Sequence, residues 1–137
     1  LEADPQAVMT TLATPIRSRQ QLENPACVKV VFDAAGRALY FSRSPIPFVR
    51  DAPELRFDAQ PPLFYQHLGI YAYRRDFLLQ LAGEASTSLE LAEKLEQLRV
   101  LQLGYTIGVG VVDQPTAGID TPEDYAAFVA RRLSKAA

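Results

Sequence analysis

Phe64-Tyr65-Gln66-His67-Leu68-Gly69-Ile70-Tyr71-Ala72-Tyr73 reads as a β-strand, dense in aromatic and β-branched residues and free of proline. Side chains on a strand alternate between faces, so Phe64, Gln66, Leu68, Ile70 and Ala72 share one face and are expected to form core. Tyr65, His67, Gly69, Tyr71 and Tyr73 share the other. The sole histidine of the chain thus lies among three tyrosines around a glycine that leaves an open floor, a plausible lining for something small and hydroxylated. A histidine satisfied inside a packed aromatic face is the competing reading. On a regular strand the α-carbons of His67 and Tyr71 stand about 13 Å apart, too far for a direct hydrogen bond but suited to the two ends of an extended sugar.

Outward from this strand, Val8–Ile16 is predicted to be a strand that stops at Pro15. Val28–Phe32 and Ala38–Ser42 flank Asp33-Ala34-Ala35-Gly36-Arg37, which predicts a hairpin closed by a type I turn and a left-handed glycine. Five prolines make residues 44–63 irregular. A short helix follows from Arg75 and ends at Gly83. A single longer helix is predicted over Ser88–Leu103, with Thr87 as N-cap, Glu90 completing a capping box, Leu91, Leu95 and Leu98 as its apolar stripe, and Gly104 closing it. Tyr105–Val112 alternates as a strand, and Thr121-Pro122 opens a last helix. Strands alternating with helices indicate an α/β sheet.

Composition narrows the function classes. The 137 residues make one domain, 48% hydrophobic and 22% charged, as in ordinary soluble proteins. A net charge of −2 provides no basic field for nucleic acid. The lone Cys27 excludes an internal disulfide and suits a reducing compartment. No apolar run has the length of a membrane span and nothing reads as a signal peptide, so the expected location is cytoplasmic.

Few positions suggest chemistry by themselves. Asp120 lies after a strand and ahead of a helix N-cap, where ligands gather in α/β sheets and a carboxylate can hold Mg²⁺; equally, Asp120 and Asp124 complement the helix dipole. Glu96 and Gln97 border the leucine stripe of the long helix, where a solvated face is the ordinary expectation. Gly108-Val109-Gly110 sits within a strand and is structural rather than a phosphate loop.

In combination and in order, several segments resemble one family. They are Asn24-Pro25 with Val28-Lys29-Val30-Val31-Phe32-Asp33, then Gly36-Arg37-Ala38-Leu39-Tyr40-Phe41-Ser42-Arg43-Ser44-Pro45-Ile46-Pro47. His67-Leu68-Gly69-Ile70-Tyr71-Ala72-Tyr73-Arg74, Lys94-Leu95-Glu96-Gln97-Leu98-Arg99 and Gly118-Ile119-Asp120-Thr121-Pro122-Glu123-Asp124 follow. The chain resembles the 3-deoxy-manno-octulosonate (Kdo) cytidylyltransferases, or CMP-Kdo synthetases, from about Thr10 to Leu133. Two family motifs have no counterpart in it: an opening loop rich in Arg, Gly and Lys that holds CTP, and a Gln-Gly-Asp-Glu-Pro segment that binds Mg²⁺. The resemblance is therefore to the C-terminal half. Ser88 stands where the family has proline, and Pro115-Thr116-Ala117-Gly118 replaces Pro-Gly-Thr-Gly.

The resemblance implies the C-terminal part of a nucleotide-diphospho-sugar transferase (Rossmann-like, three-layer) fold with a β-hairpin dimerisation extension, and hence a homodimer. It implies the reaction of CTP with Kdo to CMP-Kdo and pyrophosphate, for lipopolysaccharide synthesis, with Mg²⁺ as cofactor. On it, Asp120 is the catalytic metal-binding aspartate, His67, Tyr71, Glu96 and Gln97 belong to the sugar pocket, and Arg43 either steers an anion or is structural. The chain alone is expected to be inactive. Two alternatives are a cytidylyltransferase for another acidic sugar, such as sialic acid, and a non-catalytic sugar-binding or dimerisation module.

Overall fold

Ala7, Met9, Thr11 and Ala13 are all buried on one face of the strand Ala7–Pro15 (β1), the alternation of a strand with a single packed face. The computed structural model describes residues 1–2, 4–50 and 55–113, together with positions 122, 125, 126 and 129. Within them follow α1 (Arg19–Glu23), β2 (Lys29–Phe32), β3 (Ala38–Ser42), β4 (Tyr65–Tyr73), α2 (Arg75–Leu81), α3 (Ser88–Glu93), α4 (Gln97–Gln102) and β5 (Thr106–Val111). The sheet runs β3-β2-β4-β1-β5, with β1 antiparallel to β4 and parallel to β5. This mixed α/β arrangement matches the expected class, and the hairpin forms as expected. Asp33 Oδ1 accepts from the amides of Ala35 and Arg37, and Gly36 takes φ +75°. The hairpin tip then crosses to β5, where the Val109 amide donates to Gly36 O at 2.7 Å.

The main core joins Met9, Ala13 and Ile107 of the sheet to Val30, Ala38 and Phe41 of the hairpin and to Phe77, Leu98 and Val100 of the helices. A smaller cluster of Ile16, Leu22, Cys27 and Phe64 lies beneath α1. Patterning gave no signal for α1, a five-residue helix; the Ser18 hydroxyl accepts from the Gln21 amide to cap it.

Two expectations are corrected. The faces of β4 are reversed: His67 is buried and Tyr65, Tyr71 and Tyr73 pack on the core, while Ile70 and Ala72 are exposed. The alternation is kept across a register shift, with Thr11 opposite Tyr71 but Leu12 opposite Leu68, where two extra residues, Gly69 and Ile70, are exposed. The long helix is in fact two. It breaks at Lys94, whose φ of 55° is left-handed, and α4 begins afresh at Gln97. No glycine or proline marks this break; tertiary bonds impose it. The Ser42 hydroxyl and Arg43 amide donate to the Glu93 carboxylate at 2.6 and 3.0 Å, and Arg43 Nη2 donates to Lys94 O. Thr87 is the N-cap of α3, its amide donating to Glu90, and Gly104 closes α4 at φ +84°.

The break splits the leucine stripe. Leu98 is fully buried, whereas Leu91 is 53% exposed. Leu98→Ala is expected to cost about 2–5 kcal/mol of stability and Leu91→Ala less than about 0.5 kcal/mol, measured by urea unfolding. Equal costs would show that the two leucines share one buried face after all.

Candidate sugar site

The break between α3 and α4 turns the chain so that Leu95, Glu96 and Gln97 approach β4. Together with Ala26 and Val28 before the hairpin, and with His67, Gly69 and Tyr71, they line an open groove of about 390 Å³. A Cβ added at Gly69 would meet nothing within 4 Å, so the glycine does leave the floor open.

His67 is buried in an aromatic row, its ring 5.0 Å from Phe41 and 5.4 Å from Tyr71 between centroids. The bulge of β4 thus brings side chains together that a regular strand would hold apart. His67 Nε2 lies 2.9 Å from Thr11 Oγ1, which also approaches Leu68 O at 3.1 Å and Ile70 O at 2.9 Å. A hydroxyl has one proton, and the two carbonyls can only accept it. The ring therefore donates Nε2–H to the hydroxyl, which leaves Nδ1 as an acceptor. Burial pushes the His67 pKa down to about 4, so the ring is neutral at pH 7.

Burial likewise raises the Tyr71 phenol, with Glu96 adding to the shift, so Tyr71 remains a donor. Its hydroxyl donates to Gln97 Oε1 at 3.2 Å. Gln97 is 2% exposed, and its Nε2 is buried with no hydrogen-bond partner. A solvated position was expected here; the helix break buries it instead. An orphaned amide costs about 1–3 kcal/mol, which a ligand acceptor would relieve. Glu96 remains exposed beside it, as a carboxylate at the rim.

The structure thus gathers four of the six candidates, His67, Tyr71, Glu96 and Gln97, in one groove. Arg43 takes the structural option of its two readings. Its Nε, Nη1 and Nη2 donate to the carbonyls of Glu93, Pro25 and Lys94 at 2.8, 3.0 and 3.3 Å. Asp120 lies outside the described residues. Among the described residues no group of three or more His, Cys, Asp or Glu is placed to hold a metal ion. Thr11 escaped the sequence reading, because a threonine within a strand carries no signal of its own. A larger hollow, about 500 Å³ over Thr10, Leu12, Ile70, Gly108 and Gly110, is mainly apolar and contains no unpartnered buried polar atom. The smaller groove is the chemically equipped one.

The depressed His67 pKa fixes a pH dependence. Unfolded, the ring titrates near 6.5; folded, near 4, so the unfolded chain binds more protons between these values. Stability is fully present above pH 6.5 and falls on acidification towards pH 4, by about 3 kcal/mol in total. Denaturant titrations across this window should show the loss, and His67→Phe should flatten it.

Comparison with known proteins identifies the family. A family model described as cytidylyltransferase matches residues 1–107. A 3-deoxy-manno-octulosonate cytidylyltransferase of Rhodopirellula baltica is 46% identical over 128 residues, covering 93% of this chain and 51% of the relative. One of Syntrophobacter fumaroxidans is 50% identical over 129 residues, covering 94% and 50%. The solved structure of a CMP:2-keto-3-deoxy-manno-octonic acid synthetase complexed with CTP superposes with a TM-score of 0.85 at 37% identity, over 98% of this chain and 52% of that one. The chain spans about half the length of the curated relatives it matches. With the fold, the sequence relatives and the family model in agreement, this chain belongs to the cytidylyltransferase family.

Proposed function

We propose that this chain is the sugar-binding portion, corresponding to the C-terminal half, of an enzyme that couples CTP to Kdo and releases pyrophosphate. One observation carries the reading: the buried, unpartnered Nε2 of Gln97 in a groove otherwise lined by a neutral histidine, a protonated tyrosine and a rim carboxylate. Such a set, with Lys94 also on the lining, offers donors and acceptors to a polyhydroxylated acid. The names of the relatives support Kdo as that acid and CTP as its partner.

In this reading Gln97 Nε2 donates to a sugar oxygen while Tyr71 holds the amide in orientation. His67 Nδ1 accepts from a hydroxyl, and Glu96 accepts from others at the rim. The bound sugar presents its anomeric hydroxyl to the α-phosphorus of CTP; the new O–P bond forms as the bond to the β-phosphate breaks, pyrophosphate leaves and the hydroxyl proton passes to solvent. A Mg²⁺ contact at Asp120 rests on the family resemblance alone, and no step is routed through it. The proposed homodimer uses the hairpin and the proline-rich segment, where Leu39 is 62% and Phe48 86% exposed. A cytoplasmic location accords with this role, and no helix among the described residues is long and apolar enough to cross a membrane.

Calorimetry with Kdo tests the site. Gln97→Leu is expected to weaken binding by about tenfold or more, since it removes a buried donor. Stronger binding of sialic acid than of Kdo would replace the proposed substrate. Pyrophosphate release from CTP and Kdo by this chain alone would overturn the assignment of a sugar-binding portion. For the dimer, sedimentation should show two copies for the wild type and one for Phe48→Asp; a wild-type monomer would remove it.

A further inference from the structure

Lys29 is 0% exposed at the start of β2, and its hydrogen-bond partners are all backbone oxygens. Its Nζ donates to Asn24 O at 3.0 Å, to Cys27 O at 2.6 Å and to Arg43 O. Three acceptors match the three donors of an ammonium, whereas a neutral amine has two. The geometry therefore holds Lys29 charged. Arg43, whose carbonyl it grips, makes the complementary set of bonds to Pro25 O, Glu93 O and Lys94 O.

These carbonyls belong to the two walls of the groove. One wall is the turn 24–28, which contributes Ala26 and Val28; the other is the segment 93–97, which contributes Leu95, Glu96 and Gln97. The first wall is tied onward to the site, because Val28 O accepts from the His67 amide at 2.8 Å. Opposed carbonyl dipoles repel unless a cation lies between them, and bonds to carbonyls fix main chain rather than mobile side chains. A charge beneath each wall thus sets where that wall stands.

We propose that Lys29 is a positioning residue, an internal cation that acts through Arg43 to fix the spacing of the two groove walls and so the placing of Gln97 against His67. The consequence for Kdo affinity rests on the function proposed above; the spacing itself does not.

The sole histidine reports on that spacing. In the full 137-residue chain, NMR of ¹⁵N-lysine-labelled protein should show one slowly exchanging ammonium at neutral pH, assigned to Lys29 by its loss in Lys29→Met. Absence of any such signal would overturn the caged ammonium. Lys29→Met should raise the His67 pKa by one unit or more as the wall at Val28 loosens, and should weaken Kdo binding tenfold or more. In Lys29→Ala, n-propylammonium should restore the His67 pKa, and tetramethylammonium at equal ionic strength should not, because it has no N–H to donate. Arg43→Lys keeps the charge but loses the planar fork, and should shift His67 in the same direction by less. An unshifted His67 in either folded variant would reduce Lys29 to a core staple and sink the proposal, and Arg43→Lys decides the matter if Lys29→Met does not fold. Failure of the wild type to bind Kdo would remove the proposed function while leaving the His67 measurements to stand by themselves.

Discussion

The Thr11 hydroxyl is the contact on which the rest of the site depends. It stands where the register shifts between β1 and β4, offers its one proton to the carbonyls of Leu68 and Ile70, and accepts a hydrogen bond from His67 Nε2–H. Without a donor at that point the part-buried carbonyls of Leu68 and Ile70 would lose this partner, and β4 would be drawn towards regular pairing. Regular pairing would separate His67 from Tyr71. The aromatic row, the neutral state of the histidine and the reach of Tyr71 to Gln97 all follow from one strand irregularity held by one oxygen.

The second constraint is the hairpin's hold on the break between α3 and α4. Local propensity over Ser88–Leu103 favours an unbroken helix, and nothing in that segment by itself would stop at Lys94. The bonds from Ser42 and Arg43 to Glu93 and Lys94 outweigh it. A left-handed lysine costs roughly 1 kcal/mol, less than several charge-assisted hydrogen bonds contribute. Its effect is to bury Gln97 where a continuous helix would have left it in water.

These two features also mark how far the sequence could be read. The strands, the hairpin turn and the glycine that ends α4 were legible because each has a local cause: alternation, an Asp-to-Gly turn, or a left-handed cap. The inverted faces of β4 and the broken helix were not, since both are imposed by residues distant in the chain. Four candidate residues, grouped on resemblance to a family rather than on spacing, do line one groove. From spacing alone, Glu96 and Gln97 pointed to solvent. The signal that went unused was Lys29, a charged residue within the apolar run Val28–Phe32, where burial demands a dedicated set of acceptors.

The hairpin is fastened at three levels. Lys29 and Arg43 tie its base, Val30 and Phe41 fill the core along its middle, and at its tip Gly36 bonds to β5 while Arg37 pairs with Asp4 at 2.8 Å. A hairpin held at one end can fray from the other, exchanging its amides by local opening. Held at both ends and in between, it opens only together with the sheet it spans. The amides of Val30 and Phe41 therefore belong to the slowest-exchanging class of the chain, and the groove built on that hairpin inherits the cooperativity of the whole domain rather than the mobility of a surface loop.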